Sequence, residues 1–194
     1  MSDPMSAWQR LRAGNELFFV PTQGRQQTLH QGAPVAAVFR CADTDVASEV
    51  VFGQSWGSLI DVSTWGHVVD TGVLGTLEHA VDALDVPLIV VLGHHNCGAM
   101  RAAMRAWQNA ELPDGASRLA VEQALSSIVR LGSAADSADE VSSAHVVSVG
   151  MSLLVLLSAR TRYGERVALL GALLTGTSAL VFCLGRMNLI DPSL

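Results

Sequence analysis

The sequence predicts an α/β protein in which helices flank a mostly parallel central β-sheet, after an N-terminal helical arm. Two Val-rich apolar runs, PVAAVFR from Pro34 and VPLIVVLG from Val86, are typical of strands that are buried in a parallel sheet. Between them, DTGVLGTLEHAVDAL from Asp70 repeats its apolar residues at helical spacing. The order strand, helix, strand predicts parallel strands joined by a helical crossover. The apolar stripe of this helix is predicted to comprise Val73, Leu74, Leu77, Ala80, Val81 and Leu84.

The other elements follow in chain order. Residues 6–18 have helical spacing, and together with the polar loop after them they make residues 1–32 an arm rather than a domain. The segment SLIDVST is a weaker second strand. Three further helices are predicted at 97–110, 117–131 and 139–162. Two closing strands are predicted at 167–174 and 179–185. Because 194 residues fit one domain with a substantial core, we predict a single domain over 1–194.

Composition restricts the partners that the protein is expected to have. Charged residues make up 15% of the chain and hydrophobic residues 49%, so we expect part of the surface to be covered by other subunits. The net charge of -6 gives no basic patch for phosphates, which argues against nucleic acid. The uncharged stretch at 167–185 is interpreted as two buried strands joined by the turn TGTS rather than as a membrane span. The N-terminal residues show no secretion signal, and we therefore expect a cytoplasmic protein.

Candidate metal ligands follow two of the predicted strands. Cys41 and Asp43 come at the end of the first Val-rich run, and His94 and Cys97 come at the end of the second. Because ligands bind at the carboxyl ends of the strands in an open parallel sheet, we expect these side chains to lie close together. Two thiolates and an imidazole are a natural ligand set for Zn²⁺, with a fourth position left for water or a carboxylate. An odd number of widely spaced cysteines argues against a disulfide framework, and Cys183 is interpreted as a core residue.

Three segments carry a resemblance to a known family. CADTDV, GHVVDTGVLGTLEHAV and VPLIVVLGHHNCGAM resemble the signature blocks of β-class carbonic anhydrases, in the same order, within residues 33–106. The resemblance implies a mixed sheet with helices on its faces, a homodimer or higher homo-oligomer, and one zinc ion in each subunit. It also implies Cys41, His94 and Cys97 as the metal ligands, with Asp43 beside the open position.

One position departs from the family pattern CxDxR. The family's arginine pairs with the aspartate, keeps it away from the metal and orients it to accept a proton. Here that place is taken by Asp45, so the partner charge is reversed. We expect Asp43 and Asp45 to repel each other, and the repulsion is relieved if Asp43 binds the metal as a fourth ligand or if one carboxylate takes up a proton.

Two alternatives bear on this departure. Asp45 is also placed to cap the helix that follows it. A different arginine can replace the missing partner, and Arg101, four residues after Cys97 on a predicted helix, has the better spacing. Arg40 is a poor candidate because, as a neighbour of Cys41 on a strand, its side chain leaves the opposite face.

The predicted substrate pocket has further departures. Gly98 follows the second cysteine, Ser63 stands where the family commonly has an arginine, and Trp65 stands where it has an alanine. A bulky indole at this place is expected to narrow the pocket. His95 is interpreted as a neighbour of the metal ligand, and three other histidines are interpreted as structural, namely His67, His79 and His145.

The resemblance implies the reversible hydration of carbon dioxide to bicarbonate, with Asp43 orienting the nucleophile. We expect this activity to be weak or lost because the Asp/Arg pair is broken. One alternative is a zinc-stabilised pseudoenzyme with a structural or regulatory role towards a protein partner. Another is the hydrolysis of carbonyl sulfide or carbon disulfide, which uses the same metal chemistry.

Overall fold

The computed structural model describes residues 3–18, 30–132, 137–163 and 187–190. Its sheet has four parallel strands in the order β2-β1-β3-β4. This confirms the predicted α/β fold with a mostly parallel central sheet. The resemblance implied a mixed sheet, and every strand pair in the described ranges is parallel. The strands are β1 (Ala36–Cys41), β2 (Leu59–Thr64), β3 (Ile89–Leu92) and β4 (Met187–Ile190).

Six α-helices are found in the described ranges: α1 (Pro4–Phe18), α2 (Ser48–Val51), α3 (Thr71–Asp82), α4 (Gly98–Asn109), α5 (Ser117–Leu131) and α6 (Ala138–Tyr163). Five of them match predicted helices, and the short α2 was not predicted. The strand β4 was not predicted either. The two closing strands predicted at 167–174 and 179–185 lie outside the described residues, as does Cys183.

The sheet is buried on both faces, as the Val-rich runs predicted. Alternate residues of β1 belong to two apolar clusters, because successive side chains of a strand point to opposite faces. On one face, Phe39 packs among residues of α3 and α6, including Leu77 and Leu153. On the other face, Val38 packs with Leu11 of α1 and with Phe52. Helix α1 therefore packs on the sheet and supplies part of its core.

Helix α3 begins where an aspartate caps it. Oδ1 of Asp70 accepts a hydrogen bond of 2.9 Å from the amide of Val73, which satisfies a backbone donor that has no partner within the helix. The predicted apolar stripe is correct for the buried residues Val73, Leu77 and Ala80 and for the partly buried Leu74. It was wrong for Val81 and Leu84, which are exposed. Successive side chains are rotated by about 100° around the helix axis, so Val81 points away from the sheet that Ala80 faces. Leu84 lies beyond the end of the helix.

Helix α6 is the longest helix of the described chain. Its segment Ala138–Ser158 is apolar and long enough to cross a bilayer by length and composition alone. A core helix passes the same test, and Val146, Val149 and Leu153 of α6 are buried against the sheet. The burial of this face accounts for the apolar composition of the helix.

Candidate metal centre

Neighbouring strands bring the predicted ligands together. In the register of β1 and β3, Arg40 pairs with Leu92, so the two strands end side by side. Cys41 is the last residue of β1, and His94 follows β3 by two residues. Asn96, with a φ of 57°, turns the chain so that Cys97 lies at the start of α4.

The four side chains form one compact cluster. Their ligand atoms, from Cys41, Asp43, His94 and Cys97, all lie within 4.8 Å of one another. The two Sγ atoms are 3.8 Å apart. Oδ1 of Asp43 lies 2.8 Å from Sγ of Cys41 and 2.7 Å from Nε2 of His94. Both cysteines are buried and both are free thiols.

Two backbone amides support the cluster. The amide of Gly66 donates to Sγ of Cys41 at 3.2 Å, and the amide of Gly98 donates to Oδ2 of Asp43 at 2.7 Å. Residue 66 requires glycine, and residue 98 can carry a side chain only if the Asp43 carboxylate moves. A Cβ at residue 66, where φ is 68°, would lie 2.8 Å from Cβ of Ala99, and a Cβ at residue 98 would lie 2.8 Å from Oδ2 of Asp43. These glycines let the main chain approach the ligands closely.

The protonation of the cluster is set by the short contacts between its members. The adjacent Cys97 and burial raise the pKa of the Cys41 thiol, while the hydrogen bond from Cys41 lowers the pKa of Cys97. Burial alone would raise the pKa of Asp43, but hydrogen bonds from the Cys41 thiol and the Gly98 amide, with His94 nearby, lower it. Hydrogen bonding with Cys41 raises the pKa of His94 against the opposing effect of burial.

The donor set fits a zinc ion. Tetrahedral zinc with bonds of about 2.0–2.3 Å places its ligand atoms about 3.3–3.8 Å apart, and the two Sγ atoms already have such a separation. Nε2 of His94 is buried and points into the cluster, where it lies 2.7 Å from Oδ1 of Asp43. A buried ring nitrogen directed at two thiols and a carboxylate is what a metal ligand requires.

Asp43 has no arginine partner among the described residues. Asp45 is exposed and forms no ion pair there. The capping alternative for Asp45 was wrong, because the residue before α2 is Ala47 and no side chain caps that helix. Arg40 forms an ion pair of 2.7 Å with Asp61, on the sheet face opposite to Cys41.

Arg101 lies at the edge of the cluster without pairing with Asp43. Its Nη1 donates to the backbone oxygen of Asn96 at 2.8 Å and also contacts Oδ1 of that residue. The guanidinium is exposed. Arg101 is therefore close to the cluster, while its hydrogen bonds fix the turn that precedes Cys97.

The predicted pocket residues separate into two groups. Gly98 contacts Asp43 directly, and Trp65 is half-buried and packs against the apolar cluster that contains both cysteines. Ser63 is exposed and pairs in register with Arg40. Because side chains alternate along a strand, the register puts Ser63 on the Arg40 face, away from the metal ligands.

Two buried histidines hydrogen-bond to the main chain beneath the cluster. Both were predicted to be structural, without a stated contact. Nε2 of His145 donates to the backbone oxygen of Gly66 at 3.0 Å, and its Nδ1 accepts from Oγ of Ser127 at 3.0 Å. Nε2 of His67 donates to the backbone oxygen of Leu92 at 2.9 Å. Burial lowers the pKa of both imidazoles to about 4. Both rings are therefore neutral at pH 7.

His95 and His79 are exposed. Nδ1 of His95 lies 3.2 Å from Oδ2 of Asp139, whose Oδ1 accepts a hydrogen bond of 2.7 Å from the Asn96 amide. Asp139 thus fixes the loop between the ligands His94 and Cys97. Nothing in the local sequence of Asp139 indicates this contact, because it comes from the first turn of α6. His79 is exposed on α3.

Comparison with known proteins gives matches at the level of sequence and of structure. A family model described as carbonic anhydrase matches residues 36–165, which include the whole ligand cluster. Carbonic anhydrase 2 of Mycobacterium tuberculosis is 38% identical over 177 residues, covering 86% of this chain and 84% of the relative. A carbonic anhydrase of Mycolicibacterium smegmatis is 45% identical over 136 residues, covering 66% of each chain.

Solved structures show the same fold at lower identity. A tetrameric β-carbonic anhydrase of Sordaria macrospora matches with a TM-score of 0.57 and 19% identity, over 70% of this chain and 73% of that one. A β-carbonic anhydrase of Aspergillus fumigatus matches with a TM-score of 0.56 and 18% identity, over 76% of this chain and 85% of that one. At these identities the likeness is one of fold.

Proposed function

Because this chain belongs to the β-class carbonic anhydrase family, we propose that it binds one Zn²⁺ through Cys41, His94 and Cys97 and hydrates carbon dioxide slowly. The observation that carries the proposal is the convergence of Cys41, Asp43, His94 and Cys97, whose ligand atoms all lie within 4.8 Å of one another. The relatives named carbonic anhydrase support the same reaction.

The residues around the site have distinct tasks in this reaction. Bound zinc supplies the Lewis acidity that makes water a nucleophile near neutral pH. Asp43 accepts a proton and orients the attacking water, and the Gly98 amide holds the carboxylate for that task through Oδ2. The Gly66 amide donates to Sγ of Cys41 and so stabilises negative charge on that sulfur.

The reaction is expected to be slow because no arginine pairs with Asp43 in the described chain. Two thiolates already neutralise Zn²⁺ formally, and each further carboxylate makes activated water less acidic. Without a guanidinium that holds it back, Asp43 is free to become a fourth ligand. Four protein ligands are typical of a structural zinc site, whereas a catalytic site keeps one position open.

Stopped-flow carbon dioxide hydration between pH 6.5 and 9, with zinc content measured on the same sample, tests the proposal. We expect one zinc per chain and a rate above that of buffer, which Cys97→Ser and Cys41→Ser abolish together with zinc binding. Asp43→Asn should keep the zinc and lose the rate. A zinc-free purified chain that does not take up added zinc would contradict the metal site.

A second candidate function is supported by the lack of an arginine partner for Asp43 among the described residues. If Asp43 closes the site, the chain is a zinc-stabilised pseudoenzyme with a structural or regulatory role towards a protein partner. Fully zinc-loaded protein without any rate above buffer would favour this function. The X-ray absorption spectrum of zinc in Asp43→Ala, compared with that of the wild type, distinguishes the two, because removing the carboxylate changes the zinc coordination only if Asp43 closes the site.

We also propose that the chain forms a homodimer or a higher homo-oligomer. The low charge of 15% supports this, as do large apolar side chains exposed on the single chain, including Trp107, Leu119 and Val129. The fungal relative described as tetrameric supports it as well. Light scattering coupled to size-exclusion chromatography measures the mass directly, and a monomer would contradict the proposal.

A further inference from the structure

The loop from His94 to Cys97 carries two of the three proposed zinc ligands. Asn96 turns this loop with a φ of 57°, in the left-handed region that few residue types adopt readily. The separation of the two ligands depends on this turn, so contacts that fix Asn96 also fix the ligands. Two helices supply such contacts, α4 and α6.

Asn96 is hydrogen-bonded at both its amide and its backbone oxygen. The amide donates to Oδ1 of Asp139 at 2.7 Å, and the backbone oxygen accepts from Nη1 of Arg101 at 2.8 Å. Asp139 belongs to the first turn of α6, and Arg101 belongs to the first turn of α4. The two main-chain groups of Asn96 are therefore held by two different helices.

The bond between Asp139 and the Asn96 amide is charge-assisted. It lowers the pKa of Asp139, so the carboxylate is ionised at neutral pH. A hydrogen bond to an ionised group contributes more than one between neutral groups. Because the Asp139 side chain is exposed, its replacement removes this contact without opening a cavity in the core.

Helix α6 also contacts the main chain around the site at two further points. Oγ of Ser142 donates to the backbone oxygen of His94 at 3.3 Å. Nε2 of His145 donates to the backbone oxygen of Gly66 at 3.0 Å. Asp139, Ser142 and His145 follow one another at three-residue spacing, so they lie along one side of the helix. One helix thus contacts both the ligand loop and the turn that supports the cysteine at the end of β1.

We propose that Asp139 and Arg101 are positioning residues of the metal centre, because from two helices they hold the loop that carries two of its ligands. The inference rests on the proposed function, since it names the side chains that preorganise the proposed zinc ligands. Neither side chain is a ligand itself, and both act through the main chain of Asn96. Zinc leaves only when its ligands separate, so a loop that is held in place releases the metal more slowly.

The rate of zinc release into an excess of a chromogenic chelator measures the role of Asp139. We expect Asp139→Ala to release zinc about tenfold faster or more, as is typical when a group that supports a metal ligand is lost. Asp139→Asn keeps an oxygen that can accept from the Asn96 amide but loses the charge, so its rate should lie between those of the wild type and Asp139→Ala. Glu122→Ala is the matched control, because it removes an exposed carboxylate that pairs with Arg118 on α5. Equal rates for Asp139→Ala and Glu122→Ala would overturn the role of Asp139.

The same measurement tests the role of Arg101. Arg101→Ala should also speed zinc release, whereas Arg105→Ala, which removes an exposed arginine one turn further along α4, should not. The double variant of Asp139→Ala and Arg101→Ala should speed release by less than the product of the two single effects, because either loss already releases the same residue. An effect equal to the product would show that the two side chains act separately, and would overturn the shared support of Asn96.

Amide hydrogen exchange in metal-free, ¹⁵N-labelled protein tests the contact without the metal. In Asp139→Ala the Asn96 amide should exchange at least about tenfold faster, since its charge-assisted hydrogen bond is lost. The amides of α3 should keep their exchange rates. A general loss of stability would speed exchange in α3 as well, so the comparison separates positioning from a merely structural effect.

The outcomes distinguish this inference from the proposed function. Unchanged zinc release in Asp139→Ala, in a chain that binds zinc and hydrates carbon dioxide, would overturn the positioning role alone. A chain that binds zinc without hydrating carbon dioxide would count against the reaction, and faster zinc release in its Asp139→Ala variant would still support the positioning role. An Asn96 amide whose exchange is unchanged in Asp139→Ala would overturn the contact on which the inference rests.

Discussion

Oδ2 of Asp43 accepts a 2.7 Å hydrogen bond from the backbone amide of Gly98, the first residue of α4. The family pattern assigns the orientation of this carboxylate to an arginine two positions later, where this chain has Asp45. Here the Gly98 amide orients part of the carboxylate in place of that arginine. Because the donor belongs to the main chain, it cannot rotate away as a side chain can. The other oxygen, Oδ1, lies close to Cys41 and His94. Asp43 is therefore oriented, although no arginine pairs with it among the described residues.

Replacing Gly98 by alanine is expected to disturb the site more than the fold. The new Cβ would stand 2.8 Å from Oδ2 of Asp43, so the carboxylate must rotate and its bond to the amide must lengthen. We expect the hydration rate to fall at least about tenfold, since a charge-assisted hydrogen bond is lost. The visible absorption of the cobalt(II)-substituted protein should also change, because it reports the geometry around the metal.

Gly75→Ala is the matched control for that substitution. Gly75 lies in α3, and a Cβ there meets nothing within 4 Å. We expect unchanged cobalt spectra and a free energy of unfolding that rises by about 0.4–1 kcal/mol, because alanine restricts the unfolded chain. An unaltered rate and spectrum in Gly98→Ala would show that the carboxylate does not need this contact.

Asp45→Arg is expected to increase carbon dioxide hydration. The substitution restores the CxDxR pattern at an exposed position two residues from Asp43, so the new guanidinium can pair with that carboxylate and hold it back from the metal. Asp45→Asn, which removes only the repulsion, should give a smaller increase. Stopped-flow rates in protein of equal zinc content measure both, and equal rates for wild type and Asp45→Arg would contradict our account of the site.

Ser63→Arg is expected to leave the rate unchanged by itself. Ser63 pairs in register with Arg40, and the strand places it on the sheet face opposite to Cys41. An arginine there would lie near the Arg40–Asp61 ion pair instead of the metal ligands. A rate that rises in Ser63→Arg, or a non-additive gain in the double variant with Asp45→Arg, would show that this position communicates with the pocket.

Acid is expected to destabilise the metal-free protein through its two buried histidines. Burial lowers the pKa of His67 and His145 to about 4, whereas an unfolded histidine titrates near pH 6.5. Between these values the unfolded chain binds more protons, so the stabilisation is complete above about pH 6.5 and is lost as the pH falls towards 4. Each histidine contributes up to about 1.4 kcal/mol per pH unit to the slope of the free energy of unfolding against pH.

Urea unfolding of metal-free protein at pH 7, 6 and 5 measures this slope. His145→Gln should lower the slope, whatever its effect on stability at pH 7, because glutamine does not titrate. His79→Gln, on the exposed surface of α3, is the matched control and should leave the slope in place. A slope that is the same in His145→Gln as in the wild type would contradict the assignment.

Asp70→Ala is expected to lower the free energy of unfolding by about 1 kcal/mol. The substitution removes the 2.9 Å bond to the Val73 amide, and with it a negative charge at the positive end of the α3 dipole. Asp82→Ala, in the last turn of the same helix, should be neutral or slightly stabilising, because a carboxylate at that end is unfavourable. Urea denaturation of both variants checks the pair, and equal losses would exclude capping as the cause.

The sequence predicted the cluster because its four side chains follow two strands whose carboxyl ends must meet in a parallel sheet. The supports of the cluster were not predictable in this way. His145 contacts Gly66 from 79 residues away, and such a contact depends on how α6 is placed on the sheet. Ser63 illustrates a different limit of prediction from sequence. Aligning Ser63 with a family position did not reveal that its side chain lies on the sheet face opposite to Cys41.

The spacing of the two cysteines has a consequence for the whole chain. Cys41 and Cys97 are 56 positions apart, and the segment between them includes β2, α3 and β3. A metal ion held by both sulfurs would act as a cross-link that closes this loop. Closing a loop of that length lowers the conformational entropy of the unfolded chain and so raises its free energy by about 4 kcal/mol at 25 °C. We therefore expect loss of the ion to loosen the central strands together with the site, so that a chelator would lower the melting temperature as well as the rate.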